Sequence, residues 1–184
     1  MQKLVIIFIT IVLSCTFLYA QETYTLTATV TRTKHNTAVT DDQVTQGTFY
    51  FKQSGQMCLT FHEGKEQLLM DGTSFIMIND EKSSVAKGKN ASHLELLQQV
   101  LQKILLGGGG NIDTLVTGDM QITNQDNSIR ITPVDTGTKA TRRMMFTSFT
   151  LTIDPATSQL KSMCMYEKGG NYTQYEFSNY VFNE

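Results

Sequence analysis

Residues 91–110, ASHLELLQQVLQKILLGGGG, carry a helical period that sets them apart from the strand-like sequence around them. Leu94, Leu97, Leu101 and Ile104 recur at helical spacing, and Leu96, Val100 and Leu105 widen that stripe. Glu95, Gln98, Gln99, Gln102 and Lys103 occupy the other side, so the segment reads as an amphipathic helix. Ser92 is placed to cap it, with Glu95 three residues on as in a capping box. Four consecutive glycines stop it. The fold turns on what this helix covers.

Upstream, YTLTATVTR (24–32) alternates, with Tyr24, Leu26, Ala28 and Val30 on one face and threonines on the other. That is the period of a half-buried strand. KHNTAVTDDQVT (34–45) is polar and loop-like. GTFYFK (47–52) and MCLTFHE (57–63) read as two strands around the turn signal QSGQ. Phe49, Phe51, Met57, Leu59 and Phe61 then face inward, because Lys52, Thr60 and His62 fall opposite. EQLLM (66–70) and SFIMIND (74–80) follow, joined at Asp71-Gly72. Downstream of the helix, GDMQITN and SIRITP form a hairpin across QDN. FTLTID and QLKSMCMYE flank PATS, and NYTQYEFSNYVF follows Gly169-Gly170. Such short returns imply an antiparallel, meandering sheet. A sheet with one apolar face needs a cover, so it is expected to curl over the helix. Inward positions rich in Phe and Met suit either a close-packed core or a cavity with adaptable walls. Composition alone favours the close-packed core, because protein interiors are normally packed without room to spare.

The first twenty residues read as a secretory signal peptide: Lys3, the apolar run LVIIFITIVL, and LYA before Gln21. VLSC (12–15) offers a rival reading, a lipobox that places a lipid on Cys15. Leu13 is larger than a lipobox prefers before its serine, and the apolar run continues through TFLYA, which favours cleavage after Ala20. Cleavage leaves 164 of the 184 residues, one domain over 21–184 with enough chain for a core. Without Lys3 there are 14 basic and 17 acidic residues, a net charge of −3. This mild acidity argues against nucleic acid, which needs a basic face. Arg142-Arg143 reads as a solvated strand end.

Cys58 and Cys164 each sit in a strand-like run and are expected as unpaired, half-buried thiols. The chain has no C-x-x-C, H-E-x-x-H or G-x-S-x-G, and His35, His62 and His93 are scattered, as surface or capping residues are. GGGGN trails a helix instead of opening one, unlike a phosphate loop. Asp41, Asp42, Asp71, Asp80 and Glu81 sit at turns for backbone reasons. No catalytic residue, cofactor or metal site is expected.

The order strand, turn, strand in GTFYFKQSGQMCLTF, followed by EQLLMDGTSFIMIND, resembles the LolA-type periplasmic carriers of outer-membrane lipoproteins. The ending KGGNYTQYEFSNYVFN is similar to that family's closing strand, and the match runs in order through most of residues 47–182. The resemblance implies a mainly β protein with a helical lid: a curved antiparallel sheet forming an unclosed β-barrel over the amphipathic helix, with an apolar cavity for acyl chains. Phe49, Phe51, Met57, Leu59, Phe61, Leu97, Leu101, Ile104, Tyr175 and Phe177 would line that cavity. It also implies a monomer in the periplasm, with an inner-membrane lipoprotein-releasing transporter and an outer-membrane acceptor as partners. Two further readings share the fold: a LolB-like lipid acceptor anchored at Cys15, and a sensor or structural module with no cargo.

Three departures from the family stand out. Gln53 occupies the position of the arginine that latches the lid, with Ser54 in place of the following proline. Cys58 replaces a second arginine, and the helix that precedes the family's first strand is missing.

Overall fold

The structure, a computed structural model, describes residues 24–72, 74–80, 82–86, 89–107, 112, 120–134 and 145–183. The expectations for the signal peptide, Cys15, Glu81, Gly108–Gly110 and Arg142-Arg143 lie outside the described residues. Six strands precede the helix: β1 (Thr25–His35), β2 (Gln43–Lys52), β3 (Met57–Phe61), β4 (Glu66–Met70), β5 (Phe75–Asn79) and β6 (Lys82–Val85). After α1 (Lys89–Leu105) come β7 (Met120–Gln125), β8 (Ser128–Pro133), β9 (Phe146–Ile153), β10 (Leu160–Glu167) and β11 (Tyr172–Asn183).

All pair antiparallel in one eleven-stranded sheet, ordered β6-β5-β4-β3-β2-β1-β11-β10-β9-β8-β7. Each neighbour in that order is also a sequence neighbour except at the centre, where β1 pairs with β11 and joins the two meanders. The edges β6 and β7 are not paired to each other, so the barrel is unclosed, and α1 lies between them in the chain. A register shift between Thr27 and Thr29 in the β1–β11 ladder marks a bulge. Bulges bend a strand and sharpen its twist, which here sits at the middle of the sheet and helps bring its two wings face to face.

The period-two reading holds along β1, where Leu26, Ala28 and Val30 are buried, and it extends one step further to Arg32. The polar stretch 34–45 differs from its expectation. Lys34 and residues 43–45 continue the β1–β2 ladder, down to Lys34 opposite Gln43, and His35 pairs with Tyr172 of β11. Ladder hydrogen bonds need no apolar side chains, so a polar sequence can still pair. For the same reason β6, KSSV, gave no strand signal: it is an exposed edge, fully polar but for Val85.

The helix departs from a one-faced amphipath. Leu94, Leu96, Leu97, Val100, Leu101 and Ile104 are buried, but so are His93 and Gln98. Gln98 was expected on the exposed side and His93 at the surface. A helix enclosed by a curled sheet buries more than one stripe, so residues beside the apolar face are enclosed too. Ser92 stands inside α1, which starts at Lys89, and is not its cap. Both cysteines are free, Cys58 partly exposed in β3 and Cys164 buried in β10.

Candidate functional site

Two hollows open at opposite ends of β1. One takes Leu26 into its wall and the other Arg32, roughly 20 Å apart at about 3.3 Å per residue. Both fall in the volume range of small-molecule sites.

The first hollow, about 420 Å³, lies between the wings of the curled sheet. Its apolar walls come from Phe61, Phe75 and Met77 on one wing and Phe146, Met165 and Tyr175 on the other. Arg32 also lines it. Its residue is only 6% exposed, which is unusual for arginine. Arg32 Nη1 donates to Glu66 Oε2 at 2.6 Å, and the guanidinium carbon stands 4.1 Å from the centre of the Phe61 ring. That ring has room because Gly47 faces it across the β2–β3 ladder: a Cβ there would fall 2.5 Å from Phe61 Cδ1 and 2.2 Å from the Thr60 carbonyl oxygen. Any side chain at residue 47 would push the ring, and Arg32 with it.

Glu66 is a shared counter-ion. Lys34 Nζ lies 3.6 Å from its Oε2 and His62 Nε2 lies 3.5 Å from its Oε1. Burial works to raise the Glu66 pKa, but the hydrogen bond and charge of Arg32, helped by Lys34 and His62, outweigh it and leave the carboxyl below its usual range. Burial pushes the Tyr175 hydroxyl up to about 12, partly offset by Arg32. Arg32 Nε is buried and has no hydrogen-bond partner.

The second hollow, about 510 Å³, gathers the start of β1, the C-terminal end of α1 and the β9–β10 turn. Leu26, Ile104, Leu105, Leu160 and Phe182 make it apolar. The Tyr180 hydroxyl, whose pKa burial raises, donates to the Leu160 carbonyl at 2.5 Å and holds that wall together. Gln53 lines this hollow beside Ile104 and Leu105, and its Oε1 accepts from the Tyr24 N–H at 3.3 Å.

The ten residues expected to line an acyl cavity are all buried and belong to one apolar cluster. Phe61 and Tyr175 reach the first hollow and Ile104 the second. Phe49, Phe51, Met57, Leu59, Leu97, Leu101 and Phe177 line neither; they are buried in the apolar cluster that α1 shares with the sheet, where Phe49 stands edge-on to Phe177 at 5.2 Å. Two polar residues at the site escaped the sequence reading. Gln98 Nε2 donates to the Gly55 carbonyl at 2.9 Å, tying α1 to the β2–β3 turn. Gly55 has φ +96°, and a Cβ there would crowd the Gln102 side chain at 3.1 Å, so both the turn and its contact with α1 favour glycine. Arg32 could have been found from the alternation alone, two residues beyond Val30 on the inward face.

Residues 21–184 match the family described as "Outer membrane lipoprotein carrier protein LolA". A comparison with the curated proteins finds no match. Among solved structures the chain is similar to a LolA superfamily protein from Nitrosomonas europaea, at 11% identity and a TM-score of 0.36, over 90% of this chain and 88% of that one. It is also similar to a putative outer membrane lipoprotein-sorting protein domain from Vibrio parahaemolyticus, at 9% identity and a TM-score of 0.38, over 86% and 85% of the two chains. A third likeness is to the MucA/MucB complex structure from Pseudomonas aeruginosa, at 9% identity and a TM-score of 0.34, over 88% of this chain and 52% of that one.

Proposed function

The chain belongs to the LolA family of outer membrane lipoprotein carrier proteins, and on that premise we propose that it is a periplasmic carrier. It binds the acyl chains of lipoproteins on the concave face of its sheet and moves them through water toward the outer membrane. The observation that carries this reading is that the sheet stays open between β6 and β7 while α1 covers its Phe- and Met-rich concave face.

A magnitude supports it. Six buried aliphatic side chains of α1 contribute roughly 9–18 kcal/mol at about 1.5–3 each. A sixteen-carbon acyl chain releases roughly 12 kcal/mol on burial at about 0.8 per methylene. The two quantities are of one order, so an acyl chain can replace α1 at small net cost. The exchange is reversible for the same reason. Nothing in it calls for a catalytic group.

The test is direct. Protein exported into a periplasm and purified without detergent should yield acyl lipid to organic extraction, and a fluorescent acyl probe should speed amide exchange in residues 93–104. Absence of both lipid and probe binding would overturn the carrier reading. Intact mass decides the anchoring question: a chain beginning at Gln21 is expected, and an acylated Cys15 would instead make the protein a membrane-anchored acceptor.

A further inference from the structure

We propose that the first hollow is a site for a single-chain amphiphile with an anionic oxygen head, carboxylate or phosphate, which Arg32 anchors. The inference rests on the carrier reading and names a ligand class for one part of its concave face.

Three observations lead to it. Arg32 is 6% exposed, lines the hollow and has an Nε without an acceptor. A buried, unpaired donor on a charged group is costly, and an arriving anionic oxygen would relieve that cost. The charges lining the hollow are Arg32, Lys34 and Lys82 against Glu66 and Glu167, an excess of one positive charge. Glu66 is already engaged by Arg32 Nη1 and Lys34 and does not serve Arg32 Nε, which stays buried without an acceptor. The remaining walls are apolar on both wings, with Phe61, Phe75, Met77, Phe146 and Met165 as the surface for a tail.

A planar guanidinium fixed over an aromatic ring suits an oxyanion better than a mobile ammonium would. The volume, about 420 Å³, accommodates one chain. A neutral head could accept from Arg32 Nε but brings no opposite charge, so head charge and not tail length decides selection.

The test compares dodecanoate, dodecyl phosphate and dodecanol by calorimetry on the mature protein, with inorganic phosphate as a fourth ligand. At least one anionic amphiphile should bind about tenfold to a hundredfold more tightly than dodecanol, as expected for a charge-assisted hydrogen bond, and which one does identifies the head. The Arg32→Met/Glu66→Leu double variant removes the pair together and should bind all three amphiphiles alike. Should that variant fail to fold, the ¹⁵N–¹H signal of Arg32 Nε in the wild type serves instead: it should shift with the anionic amphiphile and not with dodecanol. Equal binding of all three by the wild type overturns this inference and leaves the carrier reading standing. Inorganic phosphate binding as tightly as dodecyl phosphate also overturns it, since the apolar walls would then play no part. Binding of none of the amphiphiles overturns this inference, and together with the absence of co-purified lipid and of acyl-probe binding it overturns the carrier reading too.

Discussion

Gln98 shows how one side chain can hold a lid without charge. Its amide is buried and donates to the carbonyl of Gly55, also buried, across the gap between α1 and the β2–β3 turn. A Gln98→Leu variant keeps the volume and removes the donor, so it strands that carbonyl at a cost of about 1–3 kcal/mol. Urea unfolding should show the loss as a lower midpoint with an unchanged slope. Glu66 makes a different contribution, and its sign follows from its lowered pKa. Its stabilising effect is complete above the ordinary glutamate range and is lost as pH falls through the lowered folded value. Glu66→Gln should therefore destabilise the protein at neutral pH, by about 1 kcal/mol at most for a partly exposed ion pair. The cost stays below that of breaking a fully buried pair, because the side chain keeps 23% of its surface exposed. Between pH 7 and pH 3 the variant should lose less stability than the wild type, and equal losses would mean that Glu66 is not the titrating group.

Among the elements, α1 is held by packing over most of its length and by a polar tie near its middle. Its C-terminal end differs, because it forms a wall of the second hollow and faces Gln53 there. The last carbonyls of a helix attract a cation. Gln53→Arg should place one beside that end, stabilise the empty protein by about 0.3–1 kcal/mol and slow amide exchange in residues 102–106. Loading of an acyl probe should slow in parallel, since the same contact must break. If exchange there stays as in the wild type, position 53 plays no part in latching the helix. The β6 edge contrasts with α1: its exposed KSSV sequence puts Lys82 and two serines where a bare edge would invite another strand.

For the whole molecule, the β1–β11 pairing is the decisive contact. It joins residues 25–35 to residues 172–183, far apart in the chain, and turns two meanders into one sheet. Ladders on both sides of β1 protect it, whereas β6 and β7 have a partner on one side only. Amide exchange should accordingly be slowest in β1, β2 and β11 and rise outward toward both edges. Uniform protection across the sheet would mean that it opens only as a unit, which would leave no local route for α1 to move.

What the sequence determined by itself was local: period-two alternation marked most strands, Asp71-Gly72 and the other turn signals marked their returns, and residues 94–104 marked the helix. These are legible because each depends on neighbours a few positions away. The polar strands escaped because ladder bonds come from the backbone and leave no mark on side-chain type. Tertiary structure alone decided that β1 meets β11, that Gln98 is enclosed and finds Gly55 forty-three residues away, and that Arg32 shares Glu66 with Lys34 and His62. Such contacts depend on curvature, which accumulates strand by strand and is written at no single residue. The same curvature separates packed core from open hollow: Phe49 and Phe61 have identical pattern and chemistry, yet only Phe61 lies where the wings part around the first hollow.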